Sequence, residues 1–282
     1  MKIAIIIPVY NEQVYLDRML SSMVAQTKTP TQVVIVDDNS TDNSPKIIKR
    51  YTNTYAWISS IKTNASPKHS PGSKVIQAFY QGHETLTQDF DIIGKFDADI
   101  ILPTNYIEKT VALFLRDAAV GIAGGNLYIE KNGNWIYENI SEKTKVRGPI
   151  KLYKKDCFNA IGGLKKSIGW DTVDVLLAEF HGWKTSTDTS LHVKHLKATA
   201  KVYTNKAKHK QGEAFYRMRY GKSLTRIAAL KLAITKKDIL LYTRCMRGYY
   251  LAKKKELAFI VTQEEGAFIR NLRWRGIKKK IL

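Results

Sequence analysis

The chain has 282 residues with a formal net charge of +21, 44% hydrophobic, 10% aromatic and 25% charged side chains, and two cysteines, Cys157 and Cys245. That composition excludes a disordered, collagen-like or disulfide-stapled protein and leaves enough chain for one large core or a core with an appendage. Residues 1–200 carry 24 Lys and Arg against 20 Asp and Glu, whereas residues 201–282 carry 22 against 5, so the excess charge sits almost wholly in the last part.

Apolar runs at residues 3–8, 32–36, 56–61 and 91–96 alternate with helical patterns at 14–26, 41–50, 73–85 and 103–115. This alternation predicts βα units and a mostly parallel sheet. In 14–26 the residues Leu16, Met19, Leu20, Met23 and Val24 share one face, and the Ser/Thr/Asp cluster at 40–44 suits a helix start. Further on, 120–129 reads as a strand and 171–181 as a helix. From about residue 211 the pattern changes to helices whose apolar positions are interrupted by Lys and Arg. Such helices either pack on the sheet or lie on an anionic membrane, and Trp274 among Arg270, Arg273, Arg275 and Lys278–Lys280 fits the membrane best. Two sparse cysteines predict free thiols in a reducing cytosol. Pro8 interrupts the short N-terminal apolar run, which reads as a buried strand and not a leader. No stretch approaches the ~18 uncharged apolar residues of a membrane-spanning helix.

Polar clusters follow the predicted strands, at Pro8-Val9-Tyr10-Asn11-Glu12 and Val36-Asp37-Asp38-Asn39-Ser40-Thr41-Asp42. In an open α/β sheet, ligands bind beyond the carboxyl ends of the strands. Neither cluster has the tight glycine turn of a dinucleotide fold, which excludes a nicotinamide dehydrogenase. Asp42 suits helix capping, whereas the adjacent Asp37 and Asp38 exceed what one cap requires. After the run 91–96 comes Phe96-Asp97-Ala98-Asp99. In an extended chain Asp97 and Asp99 share a side, where two carboxylates can hold one hard cation, Mg²⁺ or Mn²⁺.

The elements 8–12, 36–42, Gly72-Ser73-Lys74 to Gly82, Asp97-Ala98-Asp99, Gly162-Gly163 and 170–182, in that order, cover about residues 1–200. Together they resemble the family 2 nucleotide-sugar glycosyltransferases. The resemblance implies a GT-A-like α/β fold, a mostly parallel twisted sheet flanked by helices, here with a basic helical extension. It implies a catalytic domain at 1–205, with a donor-binding half at 1–117 and an acceptor-binding half at 118–205, and the extension at 206–282. By the same analogy Pro8, Tyr10 and Glu12 contact base and ribose, Asp38 or Asp37 accepts a hydrogen bond from the base, and Lys74 lies near the base or diphosphate. Asp97 reaches the ribose or the metal, Asp99 holds Mn²⁺ or Mg²⁺, and His195 completes the metal shell. Asp171 falls at the usual place of the catalytic base, with Asp174 as the alternative. The residue before Asp171 is Trp170 where the family commonly has Glu; its ring either offers an acceptor sugar a stacking face or belongs to the core.

The chain lacks the Gln-x-x-Arg-Trp motif and membrane helices of processive members, which favours transfer of a single sugar, and one base candidate with no second placed nucleophile favours direct displacement with inversion. The implied partners are a nucleotide-sugar donor, a saccharide or lipid-linked acceptor of cell-surface polysaccharide or lipopolysaccharide synthesis, and an anionic membrane met by the C-terminal helices on its cytoplasmic face. Two other readings remain. One is a polyanion- or nucleic-acid-binding protein, supported by charge alone and by no nucleic-acid motif. The other is a nucleotidyltransferase, which also uses paired aspartates and a metal.

Overall fold

The computed structural model describes residues 1–63, 73–197 and 207–281. Gly72 and the expected boundary at 205/206 lie outside the described residues. Four parallel strands, β1 (Ile3–Val9), β2 (Gln32–Asp37), β3 (Ile58–Lys62) and β4 (Ile92–Phe96), run in the order β3-β2-β1-β4. The sheet continues through β8 (Ile150–Lys154), β6 (Val120–Lys131), β9 (Lys184–His195) and β5 (Ile100–Ile101), and β7 (Asn134–Tyr137) pairs with β6. β8 is antiparallel to β4 and β6, β9 is parallel to β6, and β5 is antiparallel to β9.

The central strands are apolar runs because helices cover both faces. On one face Ile3, Ile5 and Ile7 pack with Leu16, Met19 and Leu20 of α1 (Leu16–Val24), with Ile48 of α2 (Ser44–Thr54) and with Ile107 and Phe114 of α4 (Tyr106–Arg116). On the other, Ile6, Val34 and Val36 meet Phe79 of α3 (Ser73–Glu84), Phe158 of α5 (Lys155–Ala160) and Leu177 of α6 (Trp170–Phe180). The same cluster takes in Phe215 of α7 (Ala207–Arg217), Leu224 of α8 (Gly221–Lys236), Cys245 of α9 (Leu240–Lys254) and Ile269 of α10 (Gln263–Ile281). The basic helices therefore share a core with the sheet. α10 reaches α6, where the Phe268 and Phe180 rings meet edge to face at 5.5 Å. Both cysteines are free and buried.

One local expectation changes. The chain is not extended through Asp97 and Asp99: β4 ends at Phe96, Ala98 and Asp99 form a turn, and β5 begins at Ile100. The two carboxylates therefore point by turn geometry and not by strand alternation.

Candidate active site

The floor of the cleft is built from the ends of β1 and β2, which are tied to each other. The Asn11 N–H donates to Ser40 Oγ at 3.0 Å, the Thr41 N–H to Asn11 Oδ1 at 2.8 Å, the Glu12 N–H to Ser44 Oγ at 2.9 Å and the Gln13 N–H to Asp42 Oδ2 at 3.0 Å. Asn11 and Asn39 sit in the left-handed region at φ 54° and 64°, a conformation asparagine tolerates better than most residues. Burial works against the Asp42 charge, but hydrogen bonds from Gln13 and Ser44 hold its carboxyl below the usual range; the N-cap of α2 is Asn43, and Asp42 instead ties the β1 loop to the helix start from one residue before it. The Asp37–Asp38 pair divides its work. Asp37 is buried and accepts the Ser40 N–H at 2.8 Å, closing the turn, while half-buried Asp38 accepts from Thr63 Oγ1 at 2.8 Å. Pro8 is half-buried, Tyr10 is exposed at the rim, and Lys74 is half-buried in the first turn of α3.

The turn after β4 supplies the next group. Asp99 is pushed up to about 6, chiefly by burial and then by the neighbouring Asp97, with His195 opposing. His195 arrives because β9 pairs with β5, setting Ile100 opposite His195 and letting the Leu196 N–H donate to the Asp99 carbonyl at 2.8 Å. His195 Nε2 lies 3.8 Å from Asp99 Oδ2, and its Nδ1 lies 3.0 Å from Glu138 Oε2. Burial disfavours the imidazolium, but Glu138 and Asp99 outweigh it and raise the His195 pKa. Arg147 in turn pairs with Glu138. Glu12 faces the same space: both its oxygens accept from Lys197 Nζ, at 2.5 and 2.6 Å, while burial, against the pull of Lys197, raises its pKa. His192, by contrast, is exposed with its ring on Tyr128.

The start of α6 carries Asp171 and Asp174, the two residues expected as base and alternative base. Gly169, at φ 76°, turns the chain into the helix, and half-buried Asp171 stands in the first turn. Asp174 departs from the alternative read for it. It is 1% exposed, its oxygens accept from Lys151 Nζ at 2.8 Å each, and Tyr153 Oη donates to Oδ2 at 2.5 Å. That pairing leaves no face open to an acceptor hydroxyl, and burial, partly offset by Lys151 and Tyr153, raises its pKa. Trp170 is 7% exposed, with Lys95 Nζ 5.1 Å and Lys151 Nζ 5.9 Å from its ring. The ring therefore belongs to the core of the site wall and presents little stacking surface.

Lys95 and Lys151 are functional neighbours that motif reading missed. They stand opposite each other on β4 and β8, each at most 2% exposed. Lys95 pairs with Asp97 and touches Trp170, which joins the turn after β4 to the start of α6. Their signal was present: each is a lone cation inside an apolar strand whose faces are covered, a costly placement without a partner. Glu138 left a weaker trace, a single carboxylate beyond a short strand.

The divalent cation implied by the resemblance can be tested against these donors. Among the described residues no three His, Cys, Asp or Glu side chains converge as a metal cluster. Asp97 is held by Lys95 and does not join Asp99 and His195. The carboxylate of Asp99 and an imidazole whose far nitrogen is fixed by Glu138 still fit a two-residue attachment for Mn²⁺ or Mg²⁺, the remaining positions falling to phosphate oxygens or water.

Residues 4–166, more than half of the chain, match the model for glycosyl transferase family 2. The chain belongs to that family, and this favours glycosyl transfer over nucleotidyl transfer. Among curated relatives, the minor teichoic acid biosynthesis protein GgaA of Bacillus subtilis is 30% identical over 166 residues, which are 57% of this chain and 36% of that protein. The poly(ribitol-phosphate) beta-N-acetylglucosaminyltransferase TarS of Staphylococcus aureus is 29% identical over 117 residues, 36% of this chain and 20% of TarS. The chain spans about a fifth to just over half of the length of the first curated relatives it matches. TarS 1–349, solved with UDP-GlcNAc, superposes with a TM-score of 0.56 at 18% identity, covering 83% of this chain and 67% of that one. The mannosyltransferase PcManGT of Pyrobaculum calidifontis, solved with GDP-Man and Mn²⁺, gives 0.58 at 16% identity, covering 98% and 80%. These likenesses show the fold, which is the GT-A α/β architecture. No helix among the described residues is long and apolar enough to cross a membrane.

Proposed function

We propose that this chain is an inverting, metal-assisted glycosyltransferase that moves one sugar from a nucleoside-diphosphate sugar to a saccharide or lipid-linked acceptor at the cytoplasmic membrane face, in the synthesis of a cell-surface polysaccharide. The observation that carries the reading is the buried grouping of Asp99, His195 and Glu138 beyond β4, with Asp97 of the same turn paired to Lys95, which touches Trp170 beside Asp171 at the start of α6. The names of GgaA and TarS add the surface-polymer context. Residues 1–117 act as the donor half, 118–205 as the acceptor half and 206–282 as the basic extension.

In this mechanism Pro8, Tyr10 and Asp38 line the nucleotide, Asp37 holds their loop, and Lys74 supplies a flexible cation near the diphosphate. Glu12, held by Lys197, stands at the ribose end. Asp99 and His195 would hold a divalent cation, which would supply Lewis-acid stabilisation of the negative charge that develops on the departing nucleoside diphosphate. Asp171 accepts the proton of the acceptor hydroxyl as that oxygen attacks the anomeric carbon and the carbon–oxygen bond to the diphosphate breaks. One base and a single displacement invert the anomeric centre.

Thermal shift with UDP-, GDP-, CDP- and dTDP-sugars, with and without Mn²⁺ or Mg²⁺, tests the reading without an acceptor. A metal-dependent rise with one nucleotide class, lost in Asp99→Ala while the fold persists, is expected. No response to any donor from folded protein would overturn the donor assignment. An equal response in EDTA would overturn the metal assignment.

A further inference from the structure

α8 buries Leu224, Thr225, Ala229 and Ala233 and turns a second stripe outward. On that stripe Ile227, Leu230 and Ile234 are 38%, 46% and 67% exposed, and beyond the left-handed Lys237 the residues Ile239 and Leu240 are 68% and 56% exposed. Large aliphatic side chains gathered in one short exposed segment mark an interaction surface. The same segment exposes Arg226, Lys231, Lys236 and Lys237. Its one carboxylate, Asp238, is paired with Arg244 at 3.7 Å, and no other Asp or Glu occurs between positions 214 and 255.

The stretch around Trp274, which the sequence favours for a membrane, is used differently. Phe268 packs on Phe180, Ile269 is buried, Arg270 donates to the Arg219 carbonyl at 2.8 Å and Arg273 to Tyr220 Oη at 3.2 Å. The hairpin of α8 and α9 therefore carries the exposed apolar stripe, and its charge selects the occupant. A second copy of so basic a surface is repelled. Nucleic acid wants aromatic stacking platforms among the cations, whereas these exposed side chains are branched aliphatics. Aliphatics beside lysines match a bilayer with anionic headgroups, the apolar side chains entering the acyl boundary and the cations facing lipid phosphates.

We propose that the tip of the α8–α9 hairpin is the docking surface of this protein for an anionic phospholipid bilayer, with Ile227, Leu230, Ile234, Ile239 and Leu240 as its inserted side chains. This rests on the membrane-facing part of the proposed function and deepens it; the test reads binding alone, so its failure leaves the transferase reading intact. Flotation of the full chain at low salt compares phosphatidylcholine vesicles with vesicles containing about one third phosphatidylglycerol. The protein is expected to float with the anionic vesicles only. Ile234→Ser/Ile239→Ser/Leu240→Ser, at exposed positions, is expected to keep its melting temperature and partition at least about tenfold more weakly. Lys236→Glu/Lys237→Glu is expected to lose the preference for anionic vesicles. The proposal is overturned if the wild type stays at the bottom of the gradient, or if the triple serine variant floats as well as the wild type. It is also overturned if sedimentation shows a dimer that the serine substitutions disperse, or if an RNA duplex binds more tightly than the vesicles.

Discussion

Lys95 and Lys151 place two ammonium groups under one indole ring, each answered by a carboxylate, Asp97 and Asp174. Lys151 also donates to the Asp171 carbonyl, so one buried cation holds both the first turn of α6 and the carboxylate one turn on. Removing one partner of a buried ion pair leaves a stranded charge that costs about 3–5 kcal/mol, whereas replacing both with apolar groups of similar size can be neutral. Lys151→Met is therefore expected to lower unfolding stability by about 3 kcal/mol in urea titration, and Lys151→Met/Asp174→Leu to recover most of that loss. If the double variant is no more stable than the single, the pair is not what holds α6. Asp171→Asn should behave in the opposite way, leaving stability and donor binding unchanged while kcat falls about 10²–10⁴-fold. Full turnover by the Asp171→Asn variant would remove Asp171 from the role of base.

Among the elements, the strands and the helices that cover them were legible, because apolar runs bounded by polar clusters have one reading when both faces are packed. Observed strand ends fall within about two residues of the expected ones, the usual spread of helix and strand boundaries. The helix expected at 41–50 begins at Ser44 because Ser40, Thr41, Asp42 and Asn43 are committed to ties with the β1 loop. The Asp97–Asp99 arrangement was misread for a definable reason: the rule of alternate sides holds only while the chain is extended, and the strand stops at Phe96. His195 was legible by its place along the chain, but its delivery to Asp99 depends on β5 pairing with β9, a contact no local pattern encodes. Close approach at Gly148 is a further non-local requirement. A Cβ there would lie 3.0 Å from both Asp171 Cβ and the Trp170 ring. Gly148→Val is expected to push back the first turn of α6, costing about 1–3 kcal/mol in stability and lowering kcat more than it raises the donor KM. Unchanged kinetics would show that the turn tolerates displacement.

For the molecule as a whole, the charge asymmetry visible in the sequence does not correspond to a detached tail. α7 and α10 bury Phe215 and Ile269 in the cluster that backs the sheet, and α10 supports α6 from behind through Phe268. Deletion of 263–282 removes Phe268 and Ile269 at a cost of roughly 2–5 kcal/mol for each large buried side chain lost. The shortened chain is therefore expected to melt several degrees lower and to bind donor less well at 37 °C, measured by calorimetry and thermal shift. A shortened chain with unchanged melting would mean that α10 is only draped on the surface.

The pairing of β5 with β9 also bears on how the protein comes into being. Chains are made from the N-terminus, and domains fold as their segments emerge. A growing chain has Asp99 and Glu138 in hand long before it has the imidazole that lies between them, because His195 ends β9, the last strand among the described residues. The parallel strands β1–β4 are complete early, yet Asp99 and Glu138 lack their shared partner until β9 has been synthesised and placed between β6 and β5. Assembly of this cluster is thereby timed to the completion of the sheet, and a ribosome stalled before that point carries a fragment with the β1 and β2 loops tied together and no imidazole between Asp99 and Glu138.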